Sequence, residues 1–100
     1  MKVNVQAVNF NVDKKLVVFI EDKLSKLEKY FDKIVSADVY LRTENTSDKE
    51  NKTAEIKVYV PGDSFLIKKT CKTFEEAVDA SEQSLERMII KYKEKIRAHA

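Results

Sequence analysis

The residues best suited to chemistry in this sequence are cations near its C-terminal end. The stretch Arg87–Ala100 contains five basic residues and one acidic residue. Arg87, Lys91 and Lys95 are spaced four apart, so on a helix they form one ridge. A ridge of this kind offers contacts to the phosphates of an RNA backbone. A simpler explanation is that these bases follow five acids in Glu75–Glu86, an order that complements the helix dipole.

A second group of basic residues lies on an earlier helical stretch, at Lys23, Lys26 and Lys29. If the two helices lie side by side, both groups merge into one positive surface. Lysine-rich helix faces are usually only solvated, and acids interleave on the first helix, so periodicity alone leaves RNA binding and a solvated face open. The sequence offers no base-reading code, so structured RNA would be recognised through its shape and backbone.

Other kinds of chemistry find little support in the residues. His99 is next to the last residue, where chain ends usually fray. Cys71 is the single cysteine, so it forms no intrachain disulfide, and a small buried hydrophobe is its simplest interpretation. The single glycine, Gly62, excludes a glycine-rich phosphate loop. We therefore predict no catalytic residue, no bound metal ion and no cofactor.

Length and composition predict one domain covering residues 1–100. With 43% hydrophobic and 36% charged residues, the chain is globular and well solvated. The net charge of +2 is too small to indicate a nucleic-acid partner by itself. The N-terminus lacks the apolar run of a signal peptide, and no stretch has the length of a membrane span. These features predict a soluble, cytoplasmic protein without a membrane partner.

Two helices are predicted to position the cations. The first runs from about Lys14 to Phe31, with Asp13 as its N-cap. The second runs from Thr73 to His99, and Thr73 with Glu76 can form a capping box that satisfies two backbone donors. Its predicted buried face has apolar or small residues at helical spacing, namely Val78, Ser81, Leu85, Met88, Ile89, Tyr92 and Ile96.

Alternation of polar and apolar residues predicts strands at about 2–8, 37–43, 52–60 and 64–71. Residues 44–51 form a polar loop, and Pro61-Gly62 suits a type II turn. Which face of the fourth strand points inward stays open. A right-handed crossover makes the first two strands parallel, and short connections make the others antiparallel. The predicted fold class is α+β, a two-layer sandwich in β-α-β-β-β-α order with both helices on one sheet face.

Three segments carry a resemblance to the ribosome hibernation-promoting factor family, also called ribosome-associated inhibitor or protein Y. They are residues 26–34 (KLEKYFDKI), 74–79 (FEEAVD) and 85–99, including KYKEKIRAH. The resemblance spans the chain and implies a fold similar to a double-stranded RNA-binding domain. It also implies binding to the small ribosomal subunit between head and body, where the protein covers the decoding region, blocks messenger RNA and transfer RNA sites, and stores idle ribosomes.

The resemblance also implies which residues contact ribosomal RNA. Basic family positions are matched on both helices, and helical spacing adds Lys29 to the predicted set: Lys23, Lys26, Lys29, Lys33, Arg87, Lys91, Lys93, Lys95 and Arg97. Ser84 stands where similar proteins often have a lysine. The chain resembles the short form of the family, without a C-terminal dimerisation domain. It would then be a monomer off the ribosome and would need an accessory factor to support ribosome dimers.

Two other functions remain open at this stage. The same basic face would serve a general regulator that binds structured RNA. A protein-interaction module that modulates transcription is the third possibility, because an older name of the family refers to sigma-factor modulation.

Overall fold

Four strands and two helices follow one another in the predicted β-α-β-β-β-α order. The computed structural model describes residues 1–44 and 49–98. Within them lie the strands β1 (Lys2–Ala7), β2 (Ser36–Thr43), β3 (Lys52–Val60) and β4 (Asp63–Cys71), and the helices α1 (Lys14–Ser25) and α2 (Phe74–Ala98). Half of the predicted polar loop, residues 45–48, and His99 lie outside the described residues.

The strands form a single sheet in the order β1-β2-β3-β4. The pair β1 and β2 is parallel, while β2 with β3 and β3 with β4 are antiparallel. Fully buried side chains from both helices and the sheet make one core, for example Ile20, Val39, Ile56 and Leu85. The predicted α+β two-layer sandwich is therefore confirmed.

Polar side chains begin both helices. The Asp13 carboxylate accepts a hydrogen bond from the Lys15 backbone N–H at 2.8 Å, as predicted for an N-cap. The Thr73 hydroxyl accepts from the Glu76 backbone N–H at 3.1 Å, but the Glu76 carboxylate accepts from that hydroxyl at 3.3 Å. The pair thus satisfies one backbone donor of α2 instead of the predicted two.

The first helix ends earlier than predicted. Its α-helical part stops at Ser25, and a 3-10 helix (Lys26–Lys29) continues the chain. Leu24, the last but one residue of α1, and Leu27, within the 3-10 helix, are both fully buried. Lys29 therefore lies at the end of the 3-10 helix, next to the turn at Tyr30, instead of on an α-helix.

The structure decides the orientation of β4, which the sequence left open. Phe65 and Ile67 pack against the core, whereas Leu66 is 56% exposed on the opposite face. Gly62 has a φ of +78°, as a type II turn requires at its third position. In the described parts of the chain, no helix combines the length and apolar character needed to cross a membrane.

The buried face of α2 is confirmed except at its last turn. Val78, Ser81, Leu85 and Ile89 are buried, and Met88 and Tyr92 are partly buried. The prediction that Ile96 is buried is wrong, because its side chain is 43% exposed. It lies beside the residues that follow the 3-10 helix instead of against the sheet, so an apolar side chain remains accessible near the basic end of α2.

Candidate nucleic-acid interface

The first helix packs beside the acidic half of α2. The Lys23 ammonium donates to Asp79 at 3.0 Å and lies 5.6 Å from the centre of the Phe19 ring. With 26% of its side chain exposed, Lys23 is held at the helix–helix contact. In its predicted contact with RNA, Lys23 would share its ammonium group between a phosphate and the Asp79 carboxylate.

Glu82 occupies the same helix–helix contact and was not predicted. It is 4% exposed, and its Oε1 has no hydrogen-bond partner among the described residues. Burial, then the hydrogen bond and negative charge of Glu86, raise its pKa to about 7; the Lys26 ammonium acts against this and Asp79 adds to it. The carboxyl group is therefore partly protonated at neutral pH. Glu82 is four residues after Val78 and three before Leu85, which are both on the buried face of α2. This spacing is the sequence signal that could have predicted its burial.

Replacing Glu82 with glutamine should make the protein more stable at pH 8 than the wild type. The unfolded carboxyl releases its proton near the ordinary pKa of 4.5, and the folded one near 7. Stability from the bound proton is therefore fully present below pH 4.5 and is lost as pH rises through 7. The neutral amide avoids this loss, so the variant should gain up to about 3 kcal/mol relative to wild type between pH 4.5 and 8.

The measurement is urea denaturation of both proteins at several pH values. Comparing the two cancels the titration of all other groups. Glu75→Gln, on an exposed position of α2, controls for the amide substitution. A constant difference between wild type and Glu82→Gln across this range would contradict a buried, proton-binding carboxyl group.

Part of the predicted positive surface has acidic neighbours. Where α1 and the 3-10 helix face α2, their lysines meet the acidic half of that helix: Lys23 pairs with Asp79, and the charge of Lys26 acts on Glu82. The cause is the charge gradient along α2, whose bases begin only at Arg87. At the far end of the pair, cations of both elements line one groove.

At that far end the structure forms a groove of about 500 Å³ between the 3-10 helix and the last turns of α2. We call it the helix-end groove. Its cations are Lys29, Lys93 and Arg97, and none of them belongs to an ion pair within the described residues. The other lining residues are Glu28, Tyr30, Phe31, Asp32 and Ile96.

The remaining predicted cations lie elsewhere. Lys91 and Lys95 line a second, shallower hollow beside β4, together with Asp63 and Phe65. Arg87 is exposed and donates to the Ser84 hydroxyl at 3.2 Å. Two more are exposed around the 3-10 helix: Lys26 within it and Lys33 shortly after it. The bases of α2 thus occupy two flanks of one helix end, with Lys91 and Lys95 of the predicted ridge together on one flank.

Tyr92 holds this helix end in place. Its ring packs edge-on against Phe31, with centroids 5.6 Å apart, and against Phe65, with centroids 5.3 Å apart. Its hydroxyl donates to the Pro61 carbonyl at 3.2 Å. One side chain therefore ties α2 to the β3–β4 turn and to the segment after the 3-10 helix, so it positions the cations on both flanks.

The basic helix end lies in a chain that matches a known protein family over almost its whole length. Residues 3–97 match the family described as "Sigma 54 modulation protein / S30EA ribosomal protein". The chain belongs to this family. The predicted resemblance to ribosome hibernation-promoting factors is thereby confirmed.

Relatives within the S30EA family carry names that refer to ribosome hibernation. The ribosome hibernation promoting factor of Azotobacter vinelandii is 30% identical over 95 residues, covering 95% of this chain and 85% of that protein. The ribosome hibernation promotion factor of Bacillus subtilis is 33% identical over 98 residues, covering 96% of this chain and 50% of that protein. These names describe factors of the ribosome and not enzymes, in agreement with the prediction of a non-enzymatic protein.

Solved structures share the fold. The N-terminal domain of Thermus thermophilus Protein Y superposes with a TM-score of 0.81 at 22% identity, covering 92% of this chain and 99% of that one. A ribosomal subunit interface protein from Coxiella burnetii also gives a TM-score of 0.81, at 20% identity, covering 93% of this chain and 98% of the other. Both solved structures therefore have the same fold as this chain.

Proposed function

We propose that this protein is a cytoplasmic ribosome hibernation factor that binds the small ribosomal subunit at the decoding channel. There it blocks translation by occupying the space of messenger RNA and transfer RNA, and it keeps idle ribosomes inactive. The action is steric and needs no catalytic group. Membership of the S30EA family and the names of its relatives support this proposal.

The single observation that carries the RNA contact is the helix-end groove. It brings Lys29 from the 3-10 helix to the same hollow as Lys93 and Arg97 from α2. Because these cations are free of carboxylate partners within the described residues, binding a phosphate does not require breaking an ion pair. Lys91, Lys95 and Arg87 extend the surface along the other flank, and Lys26 and Lys33 extend it around the 3-10 helix.

Lys23 contributes least in this proposal. Its ammonium already pairs with Asp79 at 3.0 Å, and this carboxylate repels a phosphate that approaches the same group. Exposed cations displace only water and counterions, and the release of counterions is what makes phosphate binding favourable. We therefore assign the main contacts to the exposed bases of α2 and the 3-10 helix.

Sedimentation through sucrose gradients tests the proposal. The protein should migrate with small subunits and with whole ribosomes from stationary-phase cells, whereas protein that stays at the top of the gradient at modest salt contradicts it. A double-stranded RNA of arbitrary sequence is the control ligand. Equal affinity for that duplex and for the small subunit would favour the general RNA-binding regulator, and binding to neither would favour a protein-interaction module.

Salt should weaken the complex strongly. Six phosphate contacts predict that the logarithm of the binding constant falls with the logarithm of salt concentration with a slope of about −4 to −5. The measurement is equilibrium binding of labelled protein to purified small subunits from 50 to 300 mM potassium chloride at constant magnesium. A slope near zero would mean that the cations remain solvated in the complex.

A further inference from the structure

The helix-end groove differs from the rest of the basic surface because apolar side chains lie between its cations. Ile96 is 43% exposed, and Phe31, partly buried, has its ring packed edge-on against Tyr92. Tyr30 lines the groove beside them. Ile96 thus presents an apolar surface to water between Lys93 and Arg97.

This combination favours one class of ligand. A paired, A-form helix presents phosphates and 2′-hydroxyls outward and keeps its bases stacked inside, so it offers nothing to an apolar floor. An unpaired nucleotide combines an anionic phosphate with a base whose flat face stacks on apolar and aromatic side chains. A groove of about 500 Å³ falls in the size range of small-molecule sites.

The acidic residues of the groove are compatible with a base. Glu28 lies 3.4 Å from the amino group of Met1, which compensates its charge. Asp32 lies with Glu28 among the lining residues, where a carboxylate can accept hydrogen bonds from the exocyclic amino group of a base. Three cations against one uncompensated carboxylate still leave the groove positive.

We propose that the helix-end groove binds a single unpaired nucleotide of ribosomal RNA, with its base against Phe31 and Ile96 and its phosphate beside Lys93 and Arg97. This inference rests on the proposed function and adds to it the kind of RNA element that is recognised. The groove contacts one extruded base. The cations outside the groove contact the RNA backbone, whether its bases are paired or unpaired.

Ile96→Ser tests the proposal without changing any charge. Losing the apolar contact with a base should weaken binding to small subunits about fivefold to tenfold and leave the salt slope unchanged. Ile90→Ser is the matched control, because Ile90 is 39% exposed on the same helix and is not among the residues that line the groove. Ile96→Phe keeps an apolar side chain at this position, so it should retain the wild-type affinity.

The outcomes separate this proposal from the proposed function. If the wild type binds subunits and Ile96→Ser binds as tightly as Ile90→Ser, the nucleotide assignment is overturned while the proposed function stands. If the wild type itself does not bind subunits, both are overturned. Circular dichroism and urea denaturation of each variant establish that the exposed substitutions leave the fold intact.

A second measurement uses nuclear magnetic resonance of the full chain with defined RNA. Titration with a single-stranded hexanucleotide should shift the methyl signals of Ile96 more than those of Ile90. A duplex of the same length and concentration should shift the signals of Ile96 much less. Equal shifts at Ile96 with both RNAs would overturn the proposal, because the groove would then not distinguish an unpaired base from a backbone.

Discussion

Replacing Lys93 and Arg97 with glutamate should lower the affinity for small ribosomal subunits at least about 100-fold at 0.1 M salt. Each lost phosphate contact costs about a factor of ten under these conditions, because it forfeits the release of roughly one counterion. Two new carboxylates in the groove also repel phosphates. Both side chains lie at the solvent-facing end of α2, so the fold should persist. Equilibrium binding of labelled protein to purified subunits measures the effect.

The matched control is Lys14→Glu with Lys15→Glu. It changes the net charge by the same amount on an exposed first turn of α1, where acidic residues suit the helix dipole. A loss of affinity equal to that of the groove variant would show that only overall charge matters, and would argue against a located interface.

Charge reversal on the other flank of α2 completes the comparison. The double variant Arg87→Glu with Lys91→Glu should leave the fold intact. If RNA wraps around the helix end, this variant should also lose ribosome binding. Unchanged affinity would restrict the interface to the helix-end groove and show that the Arg87 flank is only a solvated face.

Replacing Tyr92 with alanine should be the most destabilising change near the interface, lowering the free energy of unfolding by about 3 kcal/mol. The substitution removes two edge-to-face contacts, with Phe31 and Phe65, and the hydrogen bond to the Pro61 carbonyl. The last turns of α2 lose their attachment to the sheet and to the segment after the 3-10 helix. Urea denaturation measures the loss of stability.

Tyr92→Phe separates the ring from the hydroxyl. It keeps both aromatic contacts and removes only the hydrogen bond, so it should cost at most about 1 kcal/mol. Binding to small subunits should weaken in the alanine variant under conditions where it remains folded, because Lys93 and Arg97 are then less well positioned. Equal stabilities of the alanine and phenylalanine variants would show that the ring does not anchor the helix end.

Local patterns in the sequence were sufficient to predict the order of strands and helices. Alternation in residues 52–60 and helical spacing of apolar residues are short-range properties, so they predicted β3 to its first and last residue and where both helices begin. Asp13 acts as a cap because its carboxylate reaches a backbone N–H two residues away. The Pro61-Gly62 turn follows from the backbone freedom of glycine.

Where local patterns compete, the structure was needed. Phe65 and Leu66 are both large and apolar, so alternation cannot say which faces inward; contact with Tyr92 places Phe65 inside. The 3-10 helix was not predicted, because Leu24 and Leu27 also share one face of an α-helix, so their spacing does not distinguish the two helix types. The prediction for Ile96 failed because periodicity does not tell where the supporting sheet ends.

By itself, the sequence determined the α+β fold, the S30EA family membership and the set of cations able to bind RNA. The packing of the two helices against each other decided which of these cations are free to bind phosphate. That packing pairs Lys23 with Asp79 and places Lys29 in the same groove as Lys93 and Arg97. The physical reason is that charge–charge interactions depend on distances between residues far apart in the chain, and only tertiary packing sets those distances.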